Sequence, residues 1–459
     1  MNYGEKQAVN EISSILESQW KNGMLPHIRF KDNKRLYRPD AEDWGVKPSI
    51  SGNKKKTSGI TQPPILAWGV WQVYNNSKNK KELKPFLEEW YPKILKYHEF
   101  LLTERDPENE HLAAVIHPWE TGLDNSMVMD QAMLPLERYE KIRTNIKRAD
   151  TKNVPIEERP TEKDYEYYFY LVSLYKKLKY NQKKIIQKTP FLVQDVLFNV
   201  ILANSLKANN RIAKTIGEKP KEKPEKICAA IKKKMWDPID GFFYGYDMKN
   251  QRRLWGISIQ GLMPLMQVAD KKQKARLMQH LKDPDEFWPK KGLPVPSLAM
   301  NTKSFINYKY WKGPVWPVTN WLLVKATKDK TLKQKTLEMI QEKSKQQKTI
   351  QKAKAIMEHN RQDKHTTPSK KQYYHAWLWD SVIAAIGWSH IKEKPDLKHL
   401  KTKKPEFKEY YSPITLHGYK AGEPLGAEKM TWTAAVYLDL TASSSECHQE
   451  NHPTRCPSL

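Results

Sequence analysis

Hydrophobic residues recur mainly at helical spacing along this chain, which indicates an all-α protein. Over residues 8–20, Val9, Ile12, Ile15 and Leu16 follow the three- and four-residue intervals of one helix face. The two-residue alternation of strands is scarce, and its clearest case, residues 237–246, predicts a hairpin. The pattern predicts further helices over residues 65–74, 83–103, 165–177, 191–208, 212–235 (broken by prolines), 254–281, 328–391 (with one break near 366–368) and 431–440.

Polar loops that contain glycine or proline separate these helices, so the order helix, loop, helix repeats. This repeat suits an α-toroid, in which the ends of the inner helices and their loops surround one pocket. The length of 459 residues suggests two or three domains, but a closed barrel can run long as one. We therefore expect a single barrel over residues 1–441. Residues 442–459 lack periodicity, and we expect them to form a disordered tail.

Composition narrows the function classes. The net charge of +27 is compatible with binding nucleic acid or anionic membranes, but the lysines are scattered along helical segments and form no basic-aromatic module. No apolar run is long enough to span a membrane, and the first residues lack the pattern of a signal peptide. We therefore expect a cytoplasmic protein without a nucleic-acid or membrane partner. The 16 Trp and 22 Tyr suit carbohydrate binding, in which flat rings cover the apolar face of a sugar.

The three cysteines form no disulfide framework, which fits a reducing compartment. Cys447, His448, His452 and Cys456 match no standard zinc spacing. We therefore expect neither a metal nor another cofactor. The sequence leaves the oligomeric state open.

Residues 117–130 concentrate the candidate chemistry. They hold Glu120, Asp124 and Asp130 close to Trp119 and a glycine. An aromatic ring, carboxylates and turn-forming residues together are typical of a sugar site, with a ring to stack on and acids to move protons. Taken alone, the stretch fits an acidic turn at a helix start better than a sugar site, with Asp124 or Ser126 as the N-cap.

Several long stretches resemble glycoside hydrolase family 63, and within it the bacterial mannosylglycerate and glucosylglycerate hydrolases. Together they touch nearly the whole chain up to residue 440, and their mixed chemistry makes the resemblance specific. The matching stretches are SQWKNGMLPHI (18–28), TSGITQPP (57–64), HPWETGLDNS (117–126), ERPTEKDYEYY (158–168), DGFFYGYD (240–247), YWKGPVWPVTNWLL (310–323), WLWDS (377–381), FKEYYSPIT (407–415) and MTWTAAVYLDL (430–440).

The resemblance implies an (α/α)6 barrel and an α-glycosidase that inverts the anomeric carbon. It implies Asp124 as the general acid that protonates the leaving oxygen, and Glu409 as the general base that activates water. Such a pair must stand roughly 6.5–9.5 Å apart to admit the water. The acid must stay protonated near neutral pH, which requires a dry aromatic pocket that Trp119, Trp311 and Trp316 could supply.

The other matched residues carry implied binding roles. Arg159 and Tyr165 match positions that hold the glycerate carboxylate, and the fork of an arginine suits a carboxylate because it bonds both oxygens. Arg159 also lies in a charged loop, where an ordinary surface arginine is nearly as plausible. Glu120 and Asp130 are left as supports. Sugar contacts are implied for Tyr310, Trp311, Trp316, Trp377, Asp380, Tyr373, Gln62 and the backbone of Gly122.

The chain departs from the family in the order of its motifs. In the family WLWDS lies near the N-terminus, whereas here it occupies residues 377–381. We expect that the family's N-terminal segment has been relocated to residues 350–391, between the last outer and last inner helices. A ring makes this plausible because its first and last helices are neighbours. The relocation predicts that Trp377 and Asp380 still face Asp124 across the pocket.

Smaller departures fall within the motifs themselves. The chain has Lys312 where the family usually has Arg, Ala376 where it has Gln, and Leu416 where it has Gly. Residues 127–129 also lack a Pro and a Trp of the family pattern.

The sequence thus favours hydrolysis of a small α-glycoside such as glucosylglycerate or mannosylglycerate. Two alternatives stay open: an α-glucosidase acting on neutral oligosaccharides, and a degenerate barrel that binds carbohydrate without catalysis. Glucose and mannose differ in one epimeric hydroxyl, which the sequence does not distinguish.

Overall fold

Helices form most of the structure, a computed structural model that describes residues 1–31, 37–138, 148, 150–341, 346–362, 364–369, 373, 375–400 and 407–445. The helices are α1 (Tyr3–Leu16), α2 (Ala41–Trp44), α3 (Pro48–Ser51), α4 (Leu66–Asn76), α5 (Lys80–Thr103), α6 (Met127–Met133), α7 (Glu162–Lys177), α8 (Gln182–Lys188), α9 (Val196–Ile216), α10 (Pro224–Met235), α11 (Lys271–Lys282), α12 (Pro317–Thr327), α13 (Lys330–Gln341), α14 (Gln346–Asn360), α15 (Leu378–Trp388) and α16 (Thr431–Ser445). The strands are β1 (Ile28–Arg29), β2 (Val193–Gln194), β3 (Trp236–Asp237), β4 (Phe242–Phe243), β5 (Gly245–Asp247), β6 (Arg252–Leu254), β7 (Arg361–Gln362), β8 (His365–Thr366), β9 (Ala376–Trp377), β10 (Tyr410–Tyr411) and β11 (Pro424–Leu425).

The helices form two concentric layers. Among the described residues, the inner layer consists of α15, α4, α9, the 3-10 segment Ile259–Leu265, α12 and α16, each in contact with the next. Because α16 also contacts α15, this layer closes into a ring. Helices α1, α5, α10, α11, α13 and α14 pack around it. The fold is therefore the all-α (α/α)6 toroid that was expected.

The sequence of each helix explains its layer. Every residue of α15 is buried, as expected for a helix that is apolar all round. Helix α11 buries only Gln273, Leu277 and Leu281, a single stripe that faces the ring. Two inner glycines permit close helix packing. A Cβ at Gly69 of α4 would lie 2.2 Å from the Val382 side chain of α15, and one at Gly387 would lie 2.5 Å from the Ala435 Cβ of α16.

Helix α15 takes the place in the ring that the relocation requires. It lies between α4 and α16 and also packs on α1. Strand β9, immediately before it, pairs antiparallel with β1, so that Trp377 stands opposite Ile28. The chain therefore runs from two outer helices, α13 and α14, into two inner ones, α15 and α16. That this order arose by relocation of a family segment stays a prediction.

A buried ion pair joins three of the inner helices. Asp439 of α16 accepts hydrogen bonds from Trp321 of α12 at 2.8 Å and from His390, which follows α15, at 3.0 Å. Lys325 of α12 lies 2.6 Å from the same carboxylate. Although burial favours the neutral acid, Lys325 and His390 together hold the pKa of Asp439 well below its usual range.

Several predicted elements are confirmed, and others are wrong in their bounds. The hairpin is present as β3 paired with β4, and α10 begins at Pro224 as the proline break implied. The continuous helix over 254–281 is wrong: Gly256, with a φ of 150°, and Pro264 interrupt it, and α11 begins only at Lys271. The break expected near residues 366–368 is present but longer, since the described residues between Asn360 and Leu378 form short strands and loops.

The chain end differs from the expected tail. Residues 442–445 complete α16, and residues 446–459, with Cys447 and Cys456, lie outside the described residues. Within the described part of the chain, no helix has the length and apolar character that crossing a membrane requires.

Replacing Asp439 with alanine should lower the free energy of unfolding by about 3 kcal/mol, because the partly buried Lys325 would lose its counter-ion. The difference in unfolding free energy between the wild type and the variant should be greatest above the ordinary aspartate pKa of about 4. It should shrink as the pH falls below that value, because the pKa of Asp439 in the folded state is depressed. Urea unfolding of both proteins across pH 3–7 measures this.

Asp396→Ala is the matched control, since Asp396 pairs with Lys398 at 2.7 Å on the surface. Its free energy of unfolding in urea should equal that of the wild type. An equal loss of unfolding free energy in the two variants would contradict the role assigned to Asp439.

Candidate active site

A cavity opens at the end of the ring where the inner helices begin. It encloses about 830 Å³, including its open mouth. The residues just before or at the start of α4, α12, α15 and α16 form much of its wall. Of the residues singled out in the sequence, the cavity is lined by Gln62, Trp119, Gly122, Asp124, Arg159, Tyr165, Tyr310, Trp311, Tyr373, Trp377, Asp380 and Glu409.

Asp124 follows a tight turn that aims it into the cavity. The 3-10 helix Pro118–Thr121 ends at Gly122, whose φ of 74° lies in the left-handed region. The Tyr168 hydroxyl donates to the Asp124 backbone carbonyl at 3.1 Å and holds the chain there. Burial among aromatic rings raises the pKa of Asp124 to about 7, although a backbone hydrogen bond and Arg159 oppose the rise. Asp124 is not the N-cap of α6: Ser126 holds that position, and its side chain makes no capping hydrogen bond.

Glu409 lies in the same cavity in different surroundings. The carboxylate is 1% exposed and accepts four hydrogen bonds. Arg159 Nη1 donates to Oε1 at 3.2 Å and Nη2 to Oε2 at 2.6 Å. The Tyr373 hydroxyl donates to Oε1 at 3.0 Å, and the Ala427 amide to Oε2 at 2.9 Å.

Arg159 is an interior residue, so its reading as an ordinary surface arginine is wrong. The side chain is 0% exposed, and its guanidinium carbon lies 5.1 Å from the centre of the Tyr310 ring and 6.0 Å from that of Tyr373. Its Nε has no hydrogen-bond partner. Arg159 thus carries a buried positive charge directly beside Glu409.

Helix α15 brings a third carboxyl group to the cavity. Asp380 lies in its first turn, and burial raises the pKa of Asp380 to about 8. The side-chain oxygen of Gln62 accepts a hydrogen bond from the Trp379 backbone amide at 3.0 Å, which ties the start of α15 to the chain before α4. Trp377 packs edge-on against Tyr37 and Tyr373. Trp377 and Asp380 thus line the same cavity as Asp124.

Trp316, which the resemblance assigns to sugar contact, is not among the residues that line the cavity. It is 0% exposed and stacks behind Trp311, with ring centres 3.6 Å apart and planes 9° apart. Its indole Nε1 donates to the Tyr310 carbonyl at 3.1 Å. Trp311 and Tyr310 line the cavity, and Trp316 supports both from behind.

The two remaining acids of residues 117–130 hold the surrounding loops. Glu120 forms a two-pronged pair with Arg105, both bonds at 2.8 Å, and accepts bonds from the backbone amides of Thr61 and Ile116. Asp130 contacts Lys312 at 2.6 Å, next to Trp311 in the chain. Both lie outside the cavity wall, as expected for supports.

Other residues in the wall were not singled out from the sequence. His27, Trp379 and Trp432 stand within the stretches that resemble the family, so the motifs contained a signal for them. Tyr37 and Asp150 lie outside those stretches. Arg148 holds the Asp150 carboxylate through bonds of 3.1 and 2.6 Å.

The acids and histidines of the described chain do not gather into a metal site. Within that part of the protein, no group of three or more His, Cys, Asp or Glu side chains is placed to hold an ion.

Comparison with known proteins identifies the family. The model of the mannosylglycerate hydrolase MGH1-like glycoside hydrolase domain matches residues 3–362. A mannosylglycerate hydrolase of Rubrobacter radiotolerans is 33% identical over 328 residues, which cover 70% of this chain and 74% of that protein. A glucosylglycerate hydrolase of Mycolicibacterium hassiacum is 25% identical over 465 residues, covering 95% of this chain and 87% of that protein.

A solved structure agrees with these relatives. The crystal structure of the GH63 mannosylglycerate hydrolase from Thermus thermophilus, in complex with Tris and D-glycerate, superposes with a TM-score of 0.71 at 26% identity. The superposition covers 96% of this chain and 93% of that one. The resemblance in the sequence is therefore confirmed: the chain belongs to the mannosylglycerate hydrolase MGH1-like family of glycoside hydrolases.

Proposed function

We propose that this glycoside hydrolase cleaves glucosylglycerate or mannosylglycerate with inversion, using Asp124 as the general acid and Glu409 as the general base. The observation that carries the proposal is the pairing of two carboxyl groups in one cavity with opposite surroundings. Burial raises the pKa of Asp124 to about 7, whereas the Glu409 carboxylate accepts four hydrogen bonds, two of them from a guanidinium.

The acid is needed because the leaving group is an alkoxide of glycerate, which departs poorly without a proton. An aspartic acid with a pKa near the working pH is protonated often enough to donate and acidic enough to do so readily. Asp124 then ends the step as a carboxylate, and its proton resides on the oxygen of the released glycerate.

The base must take a proton from the water that attacks the anomeric carbon from the opposite face. A carboxylate can accept that proton only through an oxygen lone pair. The Ala427 amide and the Tyr373 hydroxyl fix the orientation of Glu409.

The substrate class follows from the charge of the wall together with the relatives. The relatives are named as hydrolases of mannosylglycerate and glucosylglycerate. The buried Arg159 has an unpartnered Nε and lies with Tyr165 in the cavity wall, which suits a ligand that carries a carboxylate. Neutral oligosaccharides offer no such partner. Asp380, Gln62 and Trp377 are assigned to the sugar, and Tyr310 and Trp311 to its apolar face.

Substitution of the two acids should separate their roles. Asp124→Asn should lower hydrolysis of the glycosylglycerate by about 10²- to 10⁴-fold, because the amide has no proton to give. The same variant should retain much of its activity on the corresponding α-glycosyl fluoride, because fluoride leaves without protonation. Glu409→Gln should lose activity on both substrates. Steady-state rates measured on each substrate test these outcomes.

Glu157→Gln, which neutralises an exposed carboxylate two residues from Arg159, is the control and should behave as the wild type. Full activity of either Asp124→Asn or Glu409→Gln on the glycosylglycerate would refute the assignment. Saturable sugar binding by calorimetry without any turnover in the unmutated protein would favour the non-catalytic alternative.

The pH dependence of kcat should reflect the titration of Asp124. Since its pKa is raised to about 7, the side chain holds its proton below that pH and loses it above. The kcat for the glycosylglycerate should therefore fall above about pH 7, by tenfold per pH unit. For the glycosyl fluoride this decline should disappear, because no proton donor is needed. A kcat for the glycosylglycerate that stays constant to pH 9 would contradict the role.

A further inference from the structure

We propose that Arg159 blocks Glu409 in the free enzyme, and that the carboxylate of the bound substrate draws Arg159 away and so releases the base. Arg159 is then a positioning residue that makes catalysis depend on an anionic aglycone. This inference rests on the proposed function, because it takes Glu409 as the base and a glycerate glycoside as the substrate.

In the free enzyme, the hydrogen-bonding sites of Glu409 are all occupied, which hinders its action as a base. A carboxylate has about four lone-pair sites for hydrogen bonds. In the structure all four are engaged: two by the guanidinium, one by Tyr373 and one by the Ala427 amide. A water molecule can transfer a proton to Glu409 only if one of these donors leaves.

The guanidinium is the donor that a ligand can displace. The Ala427 amide is part of the backbone and belongs to a reciprocal pair, since the Glu409 amide donates to the Ala427 carbonyl at 3.0 Å. Tyr373 is neutral and has no charge for a ligand to attract. Arg159 supplies half of the contacts and, as a cation, responds to a competing carboxylate.

Arg159 is also built to receive a second carboxylate. Its Nε is buried without a hydrogen-bond partner, and the residue lines the cavity while its Nη pair is bound to Glu409. Arginine has five donors in a rigid plane, and a carboxylate on the Nε edge would be held by two of them. The rings of Tyr310 and Tyr373 lie beside the guanidinium and favour its charge through cation–π contact as it moves.

Once Arg159 has moved away, Glu409 can accept the proton of the attacking water. The water oxygen bonds to the anomeric carbon, its proton goes to Glu409, the glycosidic bond breaks and the Asp124 proton goes to the glycerate oxygen. A neutral glycoside can fill the sugar site but does not compete for Arg159. Discrimination against neutral substrates therefore falls on kcat as well as on KM.

An α-glycosyl fluoride separates the sugar site from the carboxylate site, because it fills the first and leaves the second empty. We expect that adding D-glycerate raises the rate of fluoride release from α-glucosyl or α-mannosyl fluoride about tenfold in a saturable way, a typical coupling between two sites. Glycerol, which has the same skeleton without the charge, should have no effect.

Variants decide whether Arg159 carries this response. Arg159→Gln should make fluoride release independent of glycerate, and Arg159→Lys should restore part of the dependence, because it returns the charge without the fork. Arg148→Gln is the matched control. It removes a neighbouring guanidinium that lies 4.0 Å above the Tyr165 ring and bonds Asp150 and Glu162. The response to glycerate should persist in that variant.

The outcomes separate this inference from the function on which it rests. If the enzyme hydrolyses the glycosylglycerate but added glycerate does not change fluoride release, the proposed block of Glu409 by Arg159 is wrong. The proposed function is then still valid. Equal loss of the response in Arg159→Gln and Arg148→Gln overturns the block too, because a general attraction of anions would then explain the effect. Absence of turnover on the glycoside and on both fluorides overturns the proposed function together with the block.

Discussion

The structure depends on closure of the inner ring, and that closure is made by α15. An inner helix is apolar on all sides, so it is stable only when it has an inner neighbour on each flank. Without α15, the flanks of α4 and α16 that pack on it would face water. Gly69 and Gly387 let the backbones approach, and Asp439 ties α16 to α12 and to His390, just beyond α15. Trp377, just before this helix, and Asp380, in its first turn, both line the cavity, so one segment completes the ring and contributes to the cavity wall.

Burial then sets the chemistry of the cavity. Asp124 and Asp380 are surrounded mainly by rings, and burial raises the pKa of both towards the neutral range. Glu409 is only 1% exposed and accepts four hydrogen bonds, two of them from the Arg159 guanidinium. The same pairing of arginine and carboxylate recurs at Arg105 and Glu120, where it fixes the loop that carries Asp124. Two similar ion pairs thus differ in role because one lies in the cavity wall and the other behind it.

The sequence predicted much of this arrangement because periodicity and motif content are local. The toroid, the hairpin at β3 and β4 and most wall residues follow from them. The predictions that failed can each be traced to particular residues. Trp316 and Trp311 belong to one motif, and only packing shows which ring faces the cavity and which lies behind it. The pair formed by Arg159 and Glu409 joins residues 250 positions apart, a contact that no local pattern encodes. Tyr37 and Asp150 reach the wall from loops without a motif, and the helix expected over 254–281 was broken by Gly256 and Pro264.

The central claim is that Asp124 and Glu409 act as an acid and a base on opposite faces of the sugar, without a covalent intermediate. The most direct test is proton NMR of the anomeric signal during the first turnovers of an α-glycosylglycerate at high enzyme concentration, before mutarotation mixes the products. A single displacement by water predicts that the β-anomer of the free sugar appears first and the α-anomer follows slowly. Initial release of the α-anomer would show retention through an enzyme nucleophile and would contradict the account.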